Sequence, residues 1–344
     1  MSNDRLTILN CGLGRDSITM CCLLIEDNLI AGGEKIQPEN LNTVVFSDTG
    51  AEWPHTYALI PRIKKLVEDA GVPFVILQKP PIAAWKADNR PKGDRTAPEW
   101  TKKTGNPFDL AKLGVYHRRG PILQDYMKKG TICTISSSAC TFNFKILPIR
   151  RFLSDLCVTN FGEDNRSWSL GVRKGARRPH RILIGIAADE QSRAVHSAGP
   201  KYETALYPLL EMGITKSDEA AILARHGLDH IRKSGCSHCP YQPISWFWVL
   251  RELHPSLWAH ILEYERRALA RNPKMFVTGN KPLDQVIEAW ARANPNADVD
   301  AILDKTYQRG CTTPTDGGSA ARVQGGTERP MVEGQLNLFQ KEAA

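Results

Sequence analysis

The sequence predicts an α/β protein with a doubly wound, mostly parallel sheet. To this it adds a helical, cysteine-bearing region and a disordered C-terminal tail. Two observations predict the sheet. Short apolar runs of strand length recur at residues 6–10, 43–47, 73–77 and 181–186. Segments with helical apolar spacing stand between them, the order that covers both faces of a parallel sheet with helices.

Residues 6–10 form the first strand, followed by the loop Cys11-Gly12-Leu13-Gly14-Arg15. Asp16 and Ser17 are N-cap residue types, and an apolar helix is expected over 18–30. The strand at 43–47 ends at Asp48-Thr49-Gly50, and Pro54 opens a helix that turns Leu59, Ile60, Ile63 and Leu66 inward. After the strand at 73–77, residues 86–109 break the pattern with Lys, Arg, Pro, Gly and Asp, and read as a mobile surface insertion, a lid or a nucleic-acid contact. Helices are expected at 121–129 and 141–156, a strand at 181–186, and a helix at 217–226. That last helix starts at a capping-box variant, Thr215 with Asp218, and stops at Gly227. Trp246, Phe247, Trp248, Leu250, Leu253, Leu257 and Trp258 follow at mixed helical spacing as core residues. From Gly310 the chain turns to Gly, Ser, Thr and Pro, the composition of a disordered tail. The expected division is 1–245, a nucleotide-binding domain with the metal-binding cysteines; 246–309, a helical region; and 310–344, the tail.

No apolar run is long enough to span a bilayer, and the N-terminus lacks a basic start and apolar stretch, so a cytoplasmic protein without membrane contact is expected. The net charge of +8 suits polyanionic partners, and equally a mildly basic enzyme. The nine cysteines are expected as thiols rather than disulfides. Cys21, Cys22 and Cys157 stand among apolar neighbours and read as buried small hydrophobes.

A strand, a glycine loop and a helix N-terminus form an anion site, because backbone N–H groups and the helix dipole both point at it. Here Arg15 adds charge and Ser17 a hydroxyl. The loop lacks the G-x-x-x-x-G-K-S/T pattern of a Walker A loop, and Ser17 stands at the last position of G-x-G-x-x-G. The segment Gly12-Leu13-Gly14-Arg15-Asp16-Ser17 resembles the S-G-G-x-D-S loop of the PP-loop nucleotide α-hydrolases, with Gly12 for Ser and Leu13 for the first Gly. Three further segments carry the resemblance. Asp48-Thr49-Gly50-Ala51-Glu52 is similar to that family's D-T-G-x-E. Gly185-Ile186-Ala187-Ala188-Asp189-Glu190-Gln191-Ser192-Arg193 is similar to G-I-R-x-x-E-S-x-x-R, with Ala187 for the arginine. Tyr207-Pro208-Leu209 with Gly213-Ile214-Thr215 is similar to Y-P-L-x-x-W/M. In this order the segments are identified with the phosphoadenosine-phosphosulfate reductase-like branch, over roughly residues 5–245.

The resemblance implies a PP-loop (HUP-like) fold that binds ATP, or an adenylyl sulfonucleotide, with Mg2+. It implies nucleotide contacts from Gly12, Gly14, Arg15, Asp16, Ser17, Asp48, Thr49, Gly185 and Asp189, and catalytic roles for Arg15, Asp16, Lys145 and Arg193.

Cys236-Ser237-His238-Cys239 is a C-x-x-C pair, and Cys140 and Cys133 supply two more thiols. Four thiolates suit zinc or an iron–sulfur cluster, and the alternative is ordinary buried thiols beside an inert or redox-active pair. Cys140-Thr141-Phe142-Asn143-Phe144-Lys145-Ile146-Leu147-Pro148 resembles the family's C-C-x-x-R-K-x-x-P-L, with Ala139 at one ligand position. A 4Fe–4S cluster is then implied on Cys133, Cys140, Cys236 and Cys239, with zinc as the alternative, and with His238 or an open position as alternatives to Cys133. Lys145 then reaches a phosphate beside the cluster, or is a solvated helix lysine.

Gln335-Leu336-Asn337-Leu338-Phe339 is similar to the peptide by which bacterial replication and repair proteins dock on the sliding clamp; a peptide that docks on the chain's own surface is the alternative. The expected activity is an ATP α-hydrolase that adenylates a substrate for sulfur transfer in nucleic-acid modification, such as DNA phosphorothioation, with DNA and a sulfur-donor protein as partners. Sulfonucleotide reduction ranks below it, because Arg309-Gly310-Cys311-Thr312 lacks the Glu and His of the reductase E-C-G-x-H segment. A non-catalytic nucleotide-binding or clamp-binding module is the third possibility, kept open by Leu13 and Ala187.

Overall fold

The computed structural model describes residues 5–77, 108, 119–134, 139–194 and 200–305. Most of the insertion at 86–109, and the tail from 310 with Cys311 and the clamp-like peptide, lie outside the described residues.

Five strands form one sheet: β1 (Thr7–Asn10), β4 (Thr43–Ser47), β5 (Phe74–Leu77), β6 (His180–Ile184) and β7 (Glu203–Leu206), in the order β5-β4-β1-β6-β7, with every pairing parallel. The order reverses at β1, the arrangement of a doubly wound sheet. Alternate residues point to opposite faces. Leu9, Val44, Phe46, Phe74 and Leu183 pack with α1 (Arg15–Ile25), α2 (Pro54–Asp69) and α7 (Lys216–Arg225). Leu6, Ile8, Val45, Val75 and Leu77 pack with Ile149, Phe152, Leu153 and Leu156 of α4 (Leu147–Phe161). Strand β4 is buried along its whole length, as a central parallel strand must be.

Two helix ends differ from the sequence expectation. α1 begins at Arg15 with Gly14 as N-cap, so Asp16 and Ser17 lie in its first turn rather than capping it. α1 also stops at Ile25 instead of residue 30: Asp27 takes a left-handed φ of 58°, and Ile30–Ala31 (β2) folds back on Glu34–Lys35 (β3). Gly32 and Gly33 make the two-residue turn with both φ positive, which only glycine adopts without cost.

Ala139–Thr141 runs through a π-helical turn, Phe142–Ile146, into α4. Pro148 has no N–H for the carbonyl of Phe144, and that carbonyl instead accepts from Ser47 Oγ at 2.9 Å. The missing donor thus ties this turn to the end of β4.

α3 (Ile122–Lys129), α5 (Asn165–Arg173) and α6 (Pro208–Glu211) fill out the first part of the chain. The run from 244 is not continuous: α8 (Ile244–Leu253) ends at His254, whose φ/ψ of −136°/63° is pushed out of the helical region by Pro255, which opens α9 (Pro255–Arg271). α10 (Leu283–Ala293) and α11 (Val299–Lys305) complete the helical region. Its core is shared with earlier segments: Trp246, Phe247, Ile261 and Tyr264 cluster with Trp53, Ile122, Cys133 and Phe144. Among the described residues, no helix is long and apolar enough to cross a membrane.

Candidate functional site

In a doubly wound sheet the ligand crevice lies beyond the carboxyl ends of the strands, where the order reverses. Here that point is the end of β1 beside β6, and the loop before α1 occupies it. Leu13 holds a φ of 56° and is fully buried. Leu13 therefore holds a glycine-like backbone with its side chain buried in the core. Ser17 turns inward: its hydroxyl donates to Gly14 O at 3.0 Å and lies 3.7 Å from the Cys11 thiol.

Gly185, just after β6, lies against the start of α1, and a Cβ there would stand 2.9 Å from Asp16 Cβ and from Ser17 N. A Cβ on Gly14 would stand 2.7 Å from Ser234 Oγ. Gly185 is set by close backbone approach and Gly14 by the Ser234 side chain, whereas a Cβ on Gly12 would meet nothing within 4 Å.

Charged side chains converge on the N-terminus of α1. Asp16 Oδ1 pairs with Lys216 Nζ, and Asp16 Oδ2 lies 3.9 Å from Arg193 NH1. Arg193 pairs with Glu190, and Lys216 lies 3.3 Å from Glu190 Oε2 and 3.5 Å from Glu219 Oε2. Glu219 is fully buried and its oxygens have no hydrogen-bond partner among the described residues. Burial, then the nearby Asp16 charge, push its carboxyl up to about 8, and Arg15 is close enough to oppose this. Sequence reasoning found Asp16, Arg15 and Arg193 but missed Lys216, Glu190 and Glu219. Asp189 is exposed, and its neighbour Glu190 is the one that joins the cluster.

Asp48 and Thr49 are engaged in their own turn. Asp48 Oδ1 accepts from Gly50 N at 2.7 Å and Tyr57 OH at 2.8 Å; Thr49 Oγ1 donates to Glu52 Oε1 at 2.7 Å. This turn holds the C-x-x-C segment. Glu52 and Cys236 form an antiparallel bridge, Trp53 N donates to Gly235 O at 3.1 Å, and Ser237 N donates to Ala51 O at 2.9 Å. Thr49 Oγ1 lies 3.3 Å from Cys236 Sγ.

The interaction between the Cys133 and Cys140 thiols lowers Cys140 to about 6 and raises Cys133. Lys145 stabilises the thiolate forms of both Cys140 and Cys236, so its ammonium serves the two cysteine segments together. Burial raises Cys236. Cys133 N donates to Tyr264 OH at 2.6 Å, and Cys133 Sγ lies 3.7 Å from His238 Nε2. Burial lowers His238 to about 3, so the imidazole is neutral at physiological pH. Cys239 closes the turn, donating its N–H to Cys236 O at 3.0 Å. Both alternatives for a fourth ligand, Cys133 and His238, are thus neighbours. The donor chemistry suits a thiophilic metal. Among the described residues, though, no three or more His, Cys, Asp or Glu side chains are gathered in metal-holding geometry. Cys21, Cys22 and Cys157 are buried, as expected, but Cys157 also lies 3.0 Å from Asn165 Oδ1 and 3.2 Å from His180 Nε2.

Compared with known proteins, the chain matches no family model, no curated relative and no solved structure.

Proposed function

We propose that the chain is a PP-loop ATP pyrophosphatase of the phosphoadenosine-phosphosulfate reductase-like branch, and that it adenylates a nucleic-acid substrate for sulfur transfer. One observation carries this reading. Arg15, Arg193 and Lys216 gather with Asp16 at the N-terminus of α1, at the switch point of the sheet, where backbone N–H groups and the helix dipole already favour a phosphate. Gly185 keeps the end of β6 against this helix start, so the cations face one crevice.

In the reaction, a substrate oxygen attacks the α-phosphorus of ATP, the bond to the β-phosphate oxygen breaks, and pyrophosphate leaves. Hydrosulfide then displaces AMP, leaving its sulfur on the substrate. The cations stabilise the negative charge that develops on the phosphate oxygens. The net charge of +8 supports a nucleic-acid substrate, with DNA favoured.

Cys133, Cys140, Cys236 and Cys239 would hold a 4Fe–4S cluster or zinc, which would supply a cross-link joining the two cysteine segments. Lys145, whose charge acts on Cys140 and Cys236, would serve the same end of the crevice. Residues 335–339 would tether the enzyme to a sliding clamp at replicating DNA.

The test is pyrophosphate release from ATP by the full chain, with and without DNA and sulfide. The expected outcome is release that Asp16→Ala abolishes, about a hundredfold or more, while circular dichroism and melting stay near wild type. Unchanged release in Asp16→Ala would sink the loop assignment. Iron, sulfide and zinc content of anaerobically purified protein tests the cysteine centre.

A further inference from the structure

We propose that Lys216 is a phosphate-contacting cation of this nucleotide loop, held on Asp16 until a polyphosphate arrives. The proposal rests on the nucleotide reading above and names a residue that none of the sequence motifs contains as a site.

Lys216 is the first residue of α7. A cation there opposes the helix dipole, so helix stability does not explain it. Capping is supplied separately, by Thr215 and Asp218: Asp218 Oδ2 accepts from Thr215 N at 2.9 Å and Asp218 N donates to Thr215 Oγ1 at 3.3 Å. What Lys216 does instead is reach across to α1, 200 residues away in sequence, and set its ammonium among Asp16, Glu190 and Glu219. Its side chain retains 16% exposure, enough for the flexible four-carbon stem to turn toward the crevice.

Charge balance decides what this cluster attracts. If all three carboxylates were ionised, they would match Lys216, Arg193 and Arg15, leaving no net charge for an anion. Glu219, however, is fully buried, and burial and the nearby Asp16 charge outweigh the Lys216 ammonium 3.5 Å from its Oε2, so its carboxyl keeps its proton. Two carboxylates then face three cations, and the cluster is net positive around the helix start. An incoming phosphate chain competes with Asp16 for the same ammonium, and Asp16 is released as Lys216 transfers.

The experiment measures binding of ATP and of adenosine to the full chain by calorimetry, for wild type and Lys216→Met. The expected result is ATP binding weakened by about tenfold or more, from loss of a charge-assisted contact, with adenosine binding changed less than about twofold. Lys216→Arg should restore most of the ATP affinity. Equal loss for both ligands would mark Lys216 as structural and overturn the proposal, as would unchanged ATP binding in Lys216→Met. Should that variant melt early, Lys216→Gln, which retains a hydrogen bond to Asp16, gives the same comparison. A wild-type chain that binds neither ATP nor adenosine 5′-phosphosulfate overturns the nucleotide reading itself, a result separate from either of those.

Discussion

The carboxyl end of the sheet carries two clusters assembled in different ways. The charged cluster is anchored by one contiguous strand–loop–helix unit, and its members are ion-paired and partly open to solvent. The thiol cluster draws on two segments a hundred residues apart, 133–140 and 236–239, and is walled by Tyr264 and the aromatic core that Trp53 shares with Trp246. The first brings the start of α1 together with residues 190–193 and 216–219, without the C-terminal helices. The second exists only once those helices have packed.

The largest expected effect strikes the thiol side. Trp53 is 1% exposed, meets Trp246 edge-on at 5.0 Å, and donates to Gln242 at 3.3 Å. Trp53→Ala should cost about 4 kcal/mol in urea denaturation and speed thiol labelling of Cys236 before global unfolding. A cost below about 1 kcal/mol would break the contrast between the clusters.

A control lies away from both. His180 Nδ1 accepts from Leu6 N at 3.0 Å and the ring stacks on Trp168 at 4.5 Å. Burial lowers its pKa from 6.5 to about 4. The unfolded chain therefore binds more protons in that window, and stability falls as pH drops from 6.5 to about 4, by on the order of 3 kcal/mol. Melting temperature against pH should show this fall, and His180→Asn should flatten it.

The smallest effect sharpens the charged side. Leu13→Gly relieves a positive φ worth about 1 kcal/mol but empties a fully buried site worth about 3 kcal/mol. Net destabilisation near 2 kcal/mol in chemical denaturation is expected. A stabilised variant would mean that backbone strain, not packing, governs this loop.

Much of the fold was legible. The strand at 43–47 matches its expected bounds because an unbroken β-rich apolar run has few alternatives. The Thr215 cap was legible because its partner lies three residues on. The start of α1 was misjudged because Asp16 and Ser17 have N-cap chemistry, while the backbone of Gly14 decides where the helix begins. Ala31-Gly32-Gly33-Glu34 hid a hairpin behind helix-like neighbours. Lys216 was missed because its defining contact, to Asp16, spans 200 residues, and Glu219 because its burial is not carried by a linear pattern; Glu190 stood in the 185–193 segment, but its pairing with Lys216 was not legible there.

The bridge between Glu52 and Cys236 makes the crevice wall and the cysteine turn one mechanical piece. Whatever shifts one shifts the other. A displacement of the turn after β4 carries the backbone at Cys236 with it, because the bridge is reinforced on both sides by Trp53 N to Gly235 O and Ser237 N to Ala51 O.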